Sequence, residues 1–450
     1  FRGVNIDLET VEAVLSMVGI ETNRLQIEAE HLTKGAIDSI LKRDVVLKYL
    51  RGLGLDIPNM QAGTVSEILL SPDIPALARR LLEIRQQMSR TSNKKYVAFK
   101  ERAGADSRVR DLALYHGANT GRESGTGIQV HNFPKGKIKN TGFVIDEILK
   151  TKDLDFIKLC YGDPFEVFSS CARGMIKASP GHEIFSADYN AIECRIAHWL
   201  CGNETMLEDF RLDRDPYIKM ASKVLNKNID DVTPAERQLG KVIVLASAYG
   251  MGADKFFKTC ISWGVENVTE DLAKKSIKIY RDSNPKIVSE WTLQENAAIK
   301  AVLRKVPIKA GKIIWHHADD FLWCTLPSGR RLAFRNPSVK NEATPWGEYR
   351  SRLYYWYVDP LTKKWTNGAT YGGSIFENIC QATARDITVN GIINAVNSGY
   401  EYLFQIHDEI ICEHRCGDVK DYEKIVSMIP AWADGLPIRA GAWSGQRYRK

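Results

Sequence analysis

The sequence predicts an α+β protein, with long helical stretches set against β-hairpins. Three observations carry this. A short β-type run, Glu183-Ile184-Phe185-Ser186-Ala187, reaches Asp188 and then changes period, so that Ile192, Ile196, Trp199 and Leu200 fall on one helix face. Tyr402 to Glu413 is apolar, then His407-Asp408-Glu409, then apolar again, the pattern of a hairpin with acids at its tip. Thr233-Pro234-Ala235-Glu236 opens a helix: a capping threonine, a proline suited to the first helical position, and a glutamate that completes a capping box. Asp188 therefore stands where a strand hands over to a helix, and Glu193 lies in that helix's first turns. A carboxylate fixed at a strand end can hold a hard cation.

At 450 residues the chain has room for more than one core. Its hydrophobic and charged fractions are those of a globular protein, and a net charge of +7 suits a polyanion-binding protein without requiring one. The nine cysteines contain no CxxC pair. Cys412 and Cys416 have no second ligand pair nearby, which argues against zinc and for reduced thiols in a cytosolic compartment. No signal peptide or long apolar run points to secretion or a membrane. The first residues are Phe1-Arg2-Gly3 rather than a methionine, as in a fragment whose N-terminal part is missing.

From Phe1 to Arg110 the pattern is mostly helical. Asp7 can cap a helix whose inward face is Val11, Val14, Leu15 and Val18. A second helix begins near Ile74 and buries Leu77, Ala78, Leu81, Leu82 and Met88. Its other side carries Arg79, Arg80 and Arg85. The basic run continues through Arg90, Lys94, Lys95, Lys100 and Arg102, with Ser89, Thr91, Ser92 and Asn93 interleaved. Such donors suit a phosphate backbone. Taken alone, a solvated basic face explains them better.

Leu112 to Gly136 is rich in Gly, Asn and Thr and predicts loop and edge strand. Within it Arg122, Gln129, His131 and Asn132 could reach minor-groove acceptors, which test base-pair geometry without reading sequence. As a bare pattern it is no more than a Gly-rich surface loop. Asp146 to Ala178 predicts helix. In the helix after Thr233, Arg237, Lys241, Leu245 and Tyr249 recur every fourth residue and form one stripe. Two cations near a helix N-terminus oppose the helix dipole, and a bound triphosphate would remove the conflict. The apolar and aromatic residues further along suit a base and sugar.

Residues 251–305 predict more helix, anchored by Trp291. FLWCTLPSGRRLAF reads as strand, turn, strand. Ser351 to Val358 is strongly β-prone, with aromatics read as core. Tyr371 to Asn397 returns to helix and carries Gln381. Glu409, beside Asp408, ranks below it as a ligand.

Five segments carry a resemblance. DYNAIECRIAHWL, RQLGKVIVLASAYG and QIHDEIICE are similar to motifs A, B and C of family A DNA polymerases, the DNA polymerase I type. The TGR…QVHNFP loop and the ENICQATARDI helix match further family segments, in family order. The wording HGANTGR and the compact length resemble bacteriophage members. The resemblance implies a right-hand polymerase: a helical thumb over 1–110, an antiparallel-sheet palm over 111–200 and 304–450, and helical fingers over 201–303 with the 233–250 helix. It implies template-directed addition of dNTPs to a primer 3′-hydroxyl, in phage DNA replication. Asp188, Asp408 and the Tyr189 carbonyl would hold two Mg²⁺ ions, with Mn²⁺ as a substitute. Lys241 would be catalytic, protonating pyrophosphate, and would hold the triphosphate with Arg237. Glu193 would exclude the 2′-hydroxyl, and Tyr249 would stack near the templating site. Arg122 and Gln381 would contact the minor groove, and His407 would support the primer terminus.

The departures are specific. Leu245 stands where members usually have Phe or Tyr, which loosens packing on the nucleotide. Tyr217 stands where many have a His that touches the triphosphate. Ala191 replaces a polar residue. The partners implied are primer-template DNA and dNTPs, with a processivity or replisome protein left open, in a monomer in the bacterial cytoplasm. No exonuclease domain is visible, so proofreading is absent or encoded upstream. A single-subunit RNA polymerase would share the two aspartates but tends to have a small residue at Glu193. A metal-dependent nuclease would not need the 237–249 stripe, and a catalytically dead scaffold would not need Asp188, Asp408 and Lys241.

Overall fold

Two antiparallel sheets, both flanked by helices, organise the chain, and the smaller one carries the site. The computed structural model describes residues 2–90, 94–134, 136–343, 347–359 and 361–449; Thr91, Ser92 and Asn93 of the basic run lie outside them. The smaller sheet has four strands in the order Glu401–Ile406, Glu409–His414, Glu183–Tyr189, Ala440–Gly445. The predicted strand is thus central, paired with the predicted hairpin on one side and with a C-terminal strand on the other. Its two faces serve different cores. Ile184 packs with Phe404, Ile406 and Ile411, while Phe185, Ala187 and Tyr189 pack with the Gly372–Asn397 helix and the second sheet. This is the period-two alternation of a strand buried on both sides.

The second sheet is an antiparallel meander of six strands, in spatial order Trp365–Ala369, Tyr349–Val358, Arg331–Ala343, Phe321–Thr325, Ile313–Ala318, Ile308–Ala310. The predicted Phe321 hairpin is its middle. The aromatics of 351–358 divide: Tyr355 packs against the core beside buried Leu353, while Trp356 is 41% exposed.

Four hydrophobic cores result. One unites the 192–200, 285–304 and 372–397 helices with both sheets. A second joins Val4 to Met17 and Tyr96 to Val109 with residues 128–178 and the far face of the small sheet. A third is helical and lies almost wholly within residues 25–84. A fourth holds residues 194–280. The division therefore falls inside the first helix, Leu8–Leu32, whose first half belongs with the small sheet and whose second half belongs with the 43–88 helices.

Helix ends follow the sequence. Asp7 caps Leu8–Leu32 through Thr10 N, and Arg447 binds its other oxygen at 2.6 Å, tying the two chain ends together. Thr233 and Glu236 form the reciprocal capping box of Pro234–Ser247. The arginines of the second helix are occupied internally. Arg79 donates to Leu69 O and Ser71 O, Arg85 to Ile40 O, and Arg80 pairs with Glu28. Their regular spacing reflects clamps on neighbouring loops and helices.

Candidate active site

Asp188 is the sixth residue of its seven-residue strand, and Glu409 is its partner across the neighbouring strand. The Tyr189 amide donates to the Asp408 carbonyl at 3.3 Å. Residues more than two hundred positions apart thus stand on adjacent strands, about 4.8 Å apart. Asp408 is the second residue of a two-residue turn that connects Ile406 to Glu409. The first, His407, takes a positive φ of 52°, as primed hairpin turns require at that place. A non-glycine residue in this conformation marks a strained turn, and Asp408 beside it lines the neighbouring cleft.

Two directly opposed acids, Asp188 and Glu409, would repel across the ladder. The chain turns Glu409 inward instead. It is 1% exposed, accepts from Ser186 Oγ at 2.6 Å and from Tyr448 Oη at 3.0 Å. Glu409 is a buried support for the turn rather than an open carboxylate.

After Asp188 the backbone takes another positive φ at Ala191, 50°, and the Ile192–Leu200 helix begins. Glu193 then faces Asp408 across a cleft of about 600 Å³. Tyr189, Glu193, Leu245, Tyr249, Gln381 and Asp408 share its walls. Tyr249 Oη donates to Glu193 Oε2 at 2.9 Å. Burial, with the Glu193 charge adding to it, pushes the Tyr249 phenol well above its ordinary pKa, so it stays a donor. Arg122 reaches the same acids: its Nη2 lies 2.7 Å from Glu193 and 3.3 Å from Asp408. Burial pulls its pKa down, but the Asp408 and Glu193 charges outweigh this and raise it.

Lys241 and Arg237 lie one and two steps up the stripe from Leu245, about 6 and 12 Å along the axis. Lys241 makes no side-chain hydrogen bond or ion pair among the described residues. Arg237 does: its guanidinium binds Asp215 at 2.8 Å and lies 5.3 Å from the Tyr217 ring. The dipole conflict expected of Arg237 is relieved within the chain, since Asp215 also caps the Pro216–Leu225 helix. Tyr217 is 9% exposed and sits beneath Arg237.

The Gly-rich loop brings His131 edge-on to His407, ring centroids 5.4 Å apart. Burial and the His407 charge lower the pKa of His131. Gln129 and Asn132 are exposed and hydrogen-bonded to each other. Lys95 is engaged: it donates to Ile128 O and Gln129 O and covers the Phe133 ring. Burial first and Arg173 second lower its pKa to about 8. Lys94 is exposed.

The structure adds residues that spacing did not single out. Glu377 lines the cleft, accepts from Gln381 Nε2 at 3.2 Å, and has a pKa raised by burial and by Glu193. Its signal was its place one helical turn before Gln381. Lys255 and Tyr371 also line the cleft, and Tyr371 Oη donates to Tyr249 O. Among the described residues no group of three or more His, Cys, Asp or Glu is set to hold a metal by itself. Asp188 and Asp408 supply the two hard oxygen donors with which Mg²⁺ is commonly held, substrate phosphates completing the shell. A guanidinium already rests on Asp408, so the position accommodates positive charge. The donor set fits a divalent cation.

Asp188 near the end of its strand and Asp408 in the adjoining turn, beside a cleft lined by Leu245 and Tyr249 of the basic stripe, fit a site for phosphoryl transfer to or from a polyanion. Residues 60–304 match the family model for DNA polymerase family A. Over 100% of this chain, the sequence is 32% identical to the DNA polymerase of Bacillus phage SP02, of which it covers 69%. It is 22% identical to DNA polymerase I of Borreliella burgdorferi over 61% of this chain and 26% of that protein. The fold matches the POL domain of Pol1 from M. smegmatis, solved with DNA primer-template and dNTP, with a TM-score of 0.65 and 16% identity over 99% of this chain and 67% of that one. The chain belongs to DNA polymerase family A.

Proposed function

We propose that this chain extends a primer 3′-hydroxyl with dNTPs on a DNA template, releasing pyrophosphate, and that it replicates phage DNA in the bacterial cytoplasm. The observation that carries the reading is that Asp188, near the end of its strand, and Asp408, in the turn beside it, come together next to a cleft lined by Asp408, Glu193, Leu245 and Tyr249. Asp188, Asp408 and the Tyr189 carbonyl would hold two Mg²⁺ ions, or Mn²⁺ in their place. When bound, the ions activate the attacking hydroxyl and neutralise the leaving oxygen.

The chain's own residues do the rest. Lys241 and Arg237 bind the triphosphate, and Lys241 gives a proton to the leaving pyrophosphate. The Pro234–Ser247 helix moves toward the small sheet when the correct nucleotide binds, bringing both cations to the phosphates and expelling water. Glu193, held by Tyr249, fills the space of a 2′-hydroxyl, which favours a DNA polymerase over an RNA polymerase. Leu245 gives the nucleotide a smaller packing surface than an aromatic ring. Arg122, Gln381, Gln129, His131 and Asn132 follow the minor groove, His407 supports the primer terminus, and Lys94 meets a phosphate. The proposed thumb over 1–110 would be rooted in the small sheet's core through Val4 to Met17. The palm would be 111–200 with 304–450, and the fingers 201–303. Among the described residues no helix is long and apolar enough to cross a membrane.

Asp188→Ala and Asp408→Ala should abolish primer extension while leaving primer-template affinity, read by fluorescence anisotropy, within a few-fold of wild type. Near-normal extension by either variant refutes the assignment. Efficient rNTP incorporation by the wild type would favour the RNA polymerase reading.

A further inference from the structure

Arg122 bridges Glu193 and Asp408 across this cleft, and its backbone is pinned on both sides. The Arg330 guanidinium donates to Thr120 O at 3.0 Å, to Ala382 O at 2.8 Å and to Asp386 at 2.6 Å. Glu123 is gripped by Arg385 at 2.9 Å and by Gln405 at 2.6 Å. Gly121 takes a φ of +87°, and a Cβ there would lie 2.4 Å from Arg330 Nη1. Backbone shifts are thereby closed to Arg122, and it has its side-chain torsions alone with which to change partners.

In this structure those torsions put one nitrogen, Nη2, on both Glu193 and Asp408. The three side chains are only 19–23% exposed, so water screens the contact weakly. A guanidinium at 3.3 Å occupies an Asp408 oxygen and repels any second cation brought to it.

We propose that Arg122 is a placeholder cation: without DNA it offsets part of the charge of Asp408 and Glu193, opposes divalent-ion binding there, and releases Asp408 when primer-template draws the guanidinium into the minor groove. The inference rests on the reading above that Asp408 holds a metal and Arg122 meets DNA. It adds a coupling between the two events. Because such coupling is reciprocal, the metal also strengthens primer-template binding. The device lowers the net negative charge of the cleft without committing a metal ion to an enzyme that has no primer to extend.

The test is Mn²⁺ binding to the full chain without dNTP, read as free Mn²⁺ by electron paramagnetic resonance, with and without primer-template. Binding of Mn²⁺ to the same DNA alone is subtracted. In the wild type, primer-template should tighten Mn²⁺ by about tenfold. Arg122→Ala and Arg122→Gln should bind Mn²⁺ about tenfold more tightly than wild type without DNA, and DNA should then add less than about twofold. The proposal is overturned if both variants, folded by thermal unfolding, match the wild type without DNA, or if DNA still tightens Mn²⁺ by the full factor. Asp408→Asn separates the two readings. If it removes the Mn²⁺ site while the Arg122 variants change nothing, the coupling alone fails. If it leaves the site intact, the metal reading fails and takes the coupling with it.

Discussion

Gly240 sits where the Pro234–Ser247 and Pro216–Leu225 helices touch backbone to backbone. A Cβ added there would lie 2.1 Å from Tyr217 O, 3.0 Å from its carbonyl carbon and 3.1 Å from Ala221 Cβ. Ordinary contact begins at 3.4 Å. The obstacle is the carbonyl of a helix's first turn, so only the whole helix can give way. Two effects oppose each other in Gly240→Ala. Helix propensity favours alanine by about 1 kcal/mol. Overpacking costs about 1–3 kcal/mol, and a clash with backbone belongs at the upper end. The net loss is about 2 kcal/mol, or a fall of roughly 4–8 °C in the transition that reports these helices. Function should suffer as well, because the displaced helix carries Asp215 and Tyr217, which hold Arg237 from below. Loosening them should raise KM for dNTP several-fold. Differential scanning calorimetry and steady-state primer extension make the measurement. A variant with the wild-type melting temperature and KM would refute the packing argument.

Three further outcomes are expected. Lys241→Ala should slow single-turnover chemistry at saturating dNTP by about 10²-fold or more; an effect confined to primer-template affinity would count against proton donation. Tyr249→Phe removes the phenol that holds Glu193, so the ratio of dNTP to rNTP kcat/KM should fall several-fold, and an unchanged ratio would show that Glu193 is positioned without it. Asp7 is buried, which raises its pKa, but Arg447 and Thr10 outweigh this and hold it below its ordinary 3.8. Its stabilising contribution is therefore complete above that value and is lost as pH falls through the lower folded one. Asp7→Asn should flatten the acid limb of stability against pH, whereas coincident slopes would show that the charge contributes nothing.

The local features were legible because each is written within a few residues. The Thr233 capping box, the change of period at Asp188 and the hairpin with its tip near Asp408 need only neighbouring side chains and the geometry of one helix or hairpin, although the turn is two residues and Glu409 belongs to the strand. The anion site suggested at Arg237 and Lys241 came from spacing on one helix face, which again is local, whereas the catalytic role of Lys241 came from the resemblance. Spacing could not show the internal partner of Arg237, because Asp215 caps a different helix.

Tertiary structure alone decided who meets whom. The pairing of Glu409 with Asp188 is a register between strands far apart in sequence, and nothing in either strand states it. The six-stranded meander, the boundary of the N-terminal cores inside one helix, and the use of Arg79, Arg80 and Arg85 as clamps were hidden for the same reason. So was the bridge from Arg122 to Asp408, which forms because Arg330 and Arg385, distant in the chain, fix the loop on either side of it. Periodicity and capping are set by the backbone of one segment, whereas burial and charge pairing depend on which segments the folded chain lays side by side.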